Sequence, residues 1–231
     1  MRMKNLIREL IKEFFYSGHF MSVSGVCLVW FCFTVLEINI SVWSLLIVYL
    51  VCQPSYWYDR LIGLNEDNEE NGLRTEHIIK YRRYLIILIS VYMLLFGLIL
   101  VCEGNWLAGG IGFFMLILGL FYAKYFKGLT KIILGFKNYF VSLLFVALIF
   151  LVMSFEEIRI VSLQLIFLVL FFFCRVMFSQ IFFDIKDINT DREKHLKTFP
   201  VILGKNKTFF FALYNQLYFF VFGWLFGNEY W

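Results

Sequence analysis

The chain alternates between long apolar runs and short charged segments. Seven runs stand out, at roughly 20–36, 40–58, 85–102, 106–123, 139–155, 160–183 and 209–226. Each is close to the ~20 residues that cross the hydrocarbon core of a bilayer as a helix. None shows the strict alternation of a membrane barrel strand, and only helices and closed barrels satisfy their backbone in lipid. The pattern predicts an all-α, polytopic transmembrane helix bundle of about seven helices, a single membrane-embedded domain over 1–231. Ahead of the first run, residues 1–18 interleave Lys, Arg and Glu with Leu6, Leu10 and Phe14 at helical spacing. This predicts an amphipathic helix lying on the membrane surface, and the stretch lacks the small-residue cleavage site of a secretory signal.

Composition sharpens the class. The 231 residues are 61% hydrophobic, 21% aromatic and only 16% charged, with a mean hydropathy of +0.76. Soluble domains carry about a quarter charged residues. The placement of charge then gives an orientation. Of 21 Lys and Arg, 4 fall in the N-terminal segment, 5 in 59–84, 4 in 124–138 and 6 in 184–208. Arg159 alone falls on the opposite side, and Arg175 lies within a run. The excess of Lys and Arg predicts that the N-terminus and these three loops are cytoplasmic, in an integral membrane protein (of the cell membrane if bacterial). Positive-inside topology accounts for the net charge of +4, which gives no support to nucleic-acid binding. The five cysteines sit in or at the ends of runs without metal-ligand spacing and read as packing residues.

The acids are concentrated in two of the three loops. After the sixth run comes FFDIKDINTDREKHLKTFP, residues 182–200. If the helix continues, Gln180, Asp184, Asp187 and Asp191 fall within an arc of about 60° on one face. Stacked carboxylates repel one another, so a cation is expected to offset them: Lys186, Arg192, Lys194 and Lys197, or a divalent metal. Mg²⁺ favours oxygen ligands and takes one or two carboxylates with substrate phosphates. After the second run, Asp59 opens a loop to residue 84 that also holds Glu66 and Asp67, with Gly63 and Gly72 marking bends. Each acidic cluster is followed by bases, and the loop at 124–138 is purely basic. Acids to hold metals, and bases to take residual phosphate charge, suit a diphosphate–Mg²⁺ complex. Aromatic-rich runs beneath suit an isoprenoid tail and can stabilise a carbocation through their π faces. Ordinary membrane packing explains the aromatics equally well.

At these residues the sequence resembles the UbiA-superfamily intramembrane prenyltransferases. That family carries two Asp-rich motifs, after helices 2 and 6. Its second motif, DIxDxxxD followed by TxPV, is matched by Asp184-Ile185-Lys186-Asp187-Ile188-Asn189-Thr190-Asp191 and Thr198-Phe199-Pro200-Val201. Tyr122 and the Lys137-Asn138 pair also resemble family positions. The first motif departs: against NDxxDxxxD, only Asp59 is in register, with Ser55-Tyr56 for Asn-Asp and Gly63 for the last Asp. The family usually has nine helices, of which seven are drawn here. The resemblance implies a Mg²⁺-dependent enzyme that transfers a prenyl group from a prenyl diphosphate to a lipophilic or aromatic acceptor. It implies metal ligation by Asp184, Asp187 and Asp191, and by Asp59 with Glu66 or Asp67. Asp59, Asp187 and Asp191 would be catalytic, and Arg60, Tyr122, Lys137, Asn138, Lys186, Arg192 and Lys197 would meet the diphosphate. A membrane terpene cyclase and a non-catalytic lipid-binding subunit are the alternatives.

Overall fold

The computed structural model describes residues 2–64 and 72–214, leaving out the side chains of residues 2–5, 123 and 127. Among the described residues there are helices and no strands. They are α1 (Arg2–Tyr16), α2 (His19–Val35), α3 (Val42–Ile62), α4 (Gly72–Glu103) and α5 (Trp106–Phe121). A π-helical turn (Tyr122–Phe126) and a 3₁₀ turn (Lys127–Lys131) lead to α6 (Phe136–Phe155), α7 (Leu163–Lys186), α8 (Ile188–Glu193) and α9 (Phe199–Leu203). Residues 205–214 are again helical. On their own, α4, α6 and α7 are long and apolar enough to cross a membrane, and up to five segments are if each of two bent helix pairs counts as one span. The expected seventh run, 209–226, is described only to residue 214, and Glu66 and Asp67 lie outside the described residues.

The described residues group into two compact units, the first from 2–124 and 147–160, the second from 125–146 and 161–214. Helix α6 contributes its start to the second unit and its end to the first.

In the first unit α3 packs against α2, α4 and α5. It carries Ser44, Gln53 and Pro54 in its buried face, polar positions that lower its apolarity and that neighbouring helices shelter. Gln53 is fully buried, accepting from Ser22 Oγ at 2.7 Å and donating to the Ser17 carbonyl at 2.9 Å. Close helix approach needs Gly119, where an added Cβ would come within 2.4 Å of Ser55 Oγ. Helix α4 starts 13 residues before the apolar run at 85 that marks it in the sequence. Its charged extension carries Ile78, Tyr81 and Leu85 at helical spacing, and these pack against Trp57 of α3. A hydropathy window reads Arg74, Lys80, Arg82 and Arg83 as loop, whereas one buried stripe suffices to hold a helix.

Helix α1 turns its polar edge to the protein. Glu13 Oε2 accepts from His77 Nε2 of α4 at 2.6 Å, and His19 Nε2 lies 3.5 Å from Glu13 Oε1. Glu9 pairs with Lys12 at 2.8 Å. Leu6, Leu10 and Phe14 stay exposed, the face that an interfacial helix gives to lipid. Burial alone would raise the Glu13 carboxyl, but hydrogen bonds from His19 and His77 outweigh it and hold it down to about 2. The ordinary value is about 4.3. Between those values the unfolded chain binds the proton and the folded one does not, so the contribution is full above pH ~4.5 and is lost as pH falls towards 2. Thermal unfolding in detergent is expected to lose stability over that window in the wild type. The Glu13→Gln variant should start less stable and show a smaller loss.

Candidate active site in the second unit

The second unit brings the second acidic motif against the start of α6. Asp184 sits in the last turn of α7 and is 1% exposed. Its Oδ1 pairs with Lys137 Nζ at 2.6 Å and its Oδ2 accepts from Asn138 Nδ2 at 2.9 Å. Lys137 and Asn138 lie in the first turn of α6, where a single turn of helix presents adjacent residues to one carboxylate. Asn138 is fully buried; its N–H donates to the Gly135 carbonyl and its own carbonyl accepts from Ser142 Oγ at 2.7 Å.

The helix does not continue to Asp191, so the expected single face of four side chains is corrected. Helix α7 ends at Lys186, and Asp187 takes φ −97°, ψ 13°, with its N–H bonded back to the Asp184 carbonyl. A new short helix, α8, then carries Asp191. It closes at His195, which adopts φ +55°, with Leu196 N–H donating to the Asp191 carbonyl and His195 N–H to the Arg192 carbonyl. This is the Schellman ending, here with a histidine in the left-handed position usually given to glycine. The break at Asp187 separates α7 from α8. It leaves Asp184 and Asp191 buried, and Asp187 half-buried.

Past that turn, residues 196–198 run back along the 130–135 segment. Lys197 N–H donates to the Thr130 carbonyl at 2.8 Å, and Gly135 N–H to the Lys197 carbonyl at 2.9 Å. Lys197 Nζ donates to the Ile132 carbonyl at 3.2 Å from an exposed position on this strap. Phe199 and Pro200 bury themselves beneath it, Phe199 packing with Phe178, Ile181 and Ala212.

Electrically the ensemble is one lysine among three acids: the charges of Asp184, Asp191 and Asp187 all act on Lys137. Burial raises the Asp191 carboxyl above the ordinary aspartate value, Lys137 opposes this, and Asp184 and Asp187 add to it. The Thr198 hydroxyl lies near the Asp191 carboxyl and also opposes its rise, but among the described residues no partner in hydrogen-bond geometry reaches Asp191 Oδ2, Asn138 Oδ1, Thr130 Oγ1 or Thr198 Oγ1, all buried. Buried polar atoms are nearly always paired with protein, water or ligand, so this group of oxygens is suited to a polar guest.

A family model for the UbiA prenyltransferase family matches residues 22–231. The chain belongs to the UbiA prenyltransferase family. The chain is also similar to a solved structure concerning digeranylgeranylglyceryl phosphate synthase in membranes, at 18% identity and a TM-score of 0.47, over 84% of this chain and 68% of that one. No curated protein matches it.

Of the residues that the UbiA motifs single out, the second unit gathers Lys137, Asn138, Asp184 and Asp191, with Asp187 at the junction. Lys186 and Arg192 are exposed on the flanking turns. Asp59 and Arg60 close α3, and Tyr122 follows α5, all three half-buried in the first unit. Thr130 and Ser142 were not legible as site residues; nothing in their spacing marks them. Thr198 was visible only inside the TFPV motif. Among the described residues no three His, Cys, Asp or Glu side chains are gathered closely enough to cage a metal by themselves. Mg²⁺ does not need such a cage, since it retains waters and shares substrate oxygens. The unpartnered Asp191 oxygen and the half-buried Asp187 carboxylate fit that mode of binding.

Proposed function

We propose that this UbiA-family protein transfers a prenyl group from a prenyl diphosphate to a lipophilic, aromatic acceptor within the membrane, with its site on the cytoplasmic side. The observation that supports this best is the half-buried Lys137 ammonium set among Asp184, Asp187 and Asp191, with buried oxygens that have no hydrogen-bond partner among the described residues. Carboxylates alone would repel a diphosphate, and a lysine alone would not recruit a metal; the combination suits a metal-complexed diphosphate.

Asp187 and Asp191 are the proposed ligands of Mg²⁺ in the second unit. Asp59 is the proposed carboxylate ligand in the first. Bound Mg²⁺ would neutralise charge on the departing diphosphate. Lys137 would bind a diphosphate oxygen as its negative charge grows, an interaction stronger in the transition state than in the ground state. The allylic C–O bond breaks, the diphosphate leaves with the electron pair, the acceptor bonds to the freed carbon and loses a proton. Tyr139 packs with Phe173 and Phe199, placing electron-rich rings next in sequence to Asn138. Such rings favour a neighbouring carbocation by about 2 kcal/mol when desolvated.

The test uses purified full chain in nanodiscs with labelled geranyl, farnesyl and longer diphosphates. Diphosphate release that requires Mg²⁺ and an aromatic acceptor is the expected result. Release without acceptor, with a cyclic hydrocarbon product, would make the protein a cyclase. No release under any condition, together with no Mg²⁺-dependent binding of the diphosphates, would sink the reading.

A further inference from the structure

We infer that Asp184 is a positioning residue and not a metal ligand: its carboxylate fixes Lys137 and Asn138 so that the lysine stands within electrostatic reach of Asp187 and Asp191. The functional part of this inference rests on the diphosphate reading above; the division of labour among the three aspartates does not.

Both oxygens of Asp184 are engaged, one by an ammonium at 2.6 Å and the other by an amide at 2.9 Å. A divalent cation on Oδ1 would meet the Lys137 charge across a single oxygen, and at that separation in a buried site like charges repel strongly. The amide cannot swing aside to open Oδ2. Asn138 has no exposed surface, and its backbone is bonded at both the N–H and the carbonyl. Gly135, with φ +64°, sets the turn that launches α6 in this direction.

The break at Asp187 separates the roles in the chain. Asp184 belongs to α7 and faces α6, whereas Asp191 belongs to α8 and keeps one oxygen without a partner among the described residues. An ammonium has three donors. With one on Asp184, the others remain for an anion, and Asn138 Oδ1 is likewise left without a partner. Asp184 therefore acts through Lys137 and Asn138, while Asp187 and Asp191 act on the metal directly.

The two roles predict opposite signs in the metal-free protein. Acids that share a metal repel each other when it is absent, so neutralising one stabilises; a buried acid paired with a lysine does the reverse. Thermal unfolding of the full chain in detergent with chelator is expected to fall for Asp184→Asn. It should recover most of the loss in the Lys137→Met/Asp184→Asn double variant, which removes both charges. Asp187→Asn should stay level or rise. A rise for Asp184→Asn matching that of Asp187→Asn would overturn the inference. Calorimetry with inorganic pyrophosphate and Mg²⁺ supplies the second arm. Loss of a charge-assisted contact predicts at least about tenfold weaker pyrophosphate binding for Asp184→Asn at saturating Mg²⁺. The Mg²⁺ concentration at half-saturation should move less than about twofold, and the double variant should bind no worse than Lys137→Met alone, since residues acting as one unit are not additive. A large shift in the Mg²⁺ midpoint, or multiplied losses in the double variant, would overturn it. If the wild type binds no pyrophosphate with Mg²⁺, the diphosphate reading fails, and the metal-free unfolding series still decides what Asp184 does.

Discussion

Asp191→Asn is expected to lower kcat by about 10²–10³-fold, the usual loss when one preorganised electrostatic group is removed, while leaving the protein at least as stable. Asparagine keeps the shape of the side chain and one oxygen, so the fold around α8 has no cavity to absorb. What disappears is a buried negative charge. In the wild type, burial raises this carboxyl, and Asp184 and Asp187 push in the same direction against Lys137. The folded protein therefore holds a proton there that the unfolded chain has already released, in the window above the ordinary aspartate value of about 3.9. Within that window metal-free stability falls as pH rises, the opposite of the Glu13 case. Melting curves with chelator should show that fall in the wild type and a shallower one in Asp191→Asn. A variant that loses both turnover and stability would place Asp191 among structural residues. Stability gained where activity is lost is the trade-off expected of a strained functional group.

Gly135→Ala is expected to cost about 2–5 kcal/mol, combining a left-handed backbone at 1–2 kcal/mol with overpacking at 1–3 kcal/mol. The backbone part follows from φ +64°. The overpacking part follows from an added Cβ falling 2.3 Å from Cε2 of Phe199, a ring held by Phe178, Ile181 and Ala212. Phe199 cannot move without pulling the strap at 196–198, which hydrogen-bonds to Thr130 and Gly135 and follows directly on Asp191. The unfolding temperature should drop by several degrees and kcat/KM should fall with it. Gly128→Ala, with nothing within 4 Å of the added carbon, should stay within about ±0.5 kcal/mol. Phe199→Leu placed on Gly135→Ala should recover the overpacking part and not the backbone part. Equal losses at Gly128 and Gly135 would show that the strap does not constrain the site.

Both predictions concern places where the chain reverses within a few residues, and there the sequence was hardest to read. Apolar runs near membrane length marked α2, α3, α5, α6 and α7 to within a few residues of their ends, because lipid admits only helices of that length. The second acidic motif was legible as a family resemblance, since aspartates of that spacing followed by Thr-x-Pro-Val match the UbiA pattern. Its geometry was not. Periodicity put Gln180, Asp184, Asp187 and Asp191 on one face, but nothing in the alternation of residues announces that the helix stops at Lys186. Nor does it announce that residues 196–198 return to hydrogen-bond with Thr130 and Gly135, a long-range pairing. The cytoplasmic part of α4 was hidden for the converse reason. Its charge outweighs a single stripe of Ile78, Tyr81 and Leu85 in any average, while Trp57, distant in sequence, supplies the surface that the stripe buries.

The sequence by itself determined that the protein is a helical membrane bundle, that its acids and bases are concentrated between the apolar runs, and that its family is the one its motifs mark. These depend on composition and spacing, which the solvent reads locally: bilayer thickness sets run length, and metal and phosphate chemistry sets residue type. Only the tertiary structure decided that Lys137 and Asn138 close on Asp184, that Lys197 ties a loop, and that Asp191 keeps an oxygen without a partner among the described residues. Each of those outcomes depends on which groups meet across dozens of residues in a buried place of low dielectric, where one ammonium changes what a carboxylate can bind.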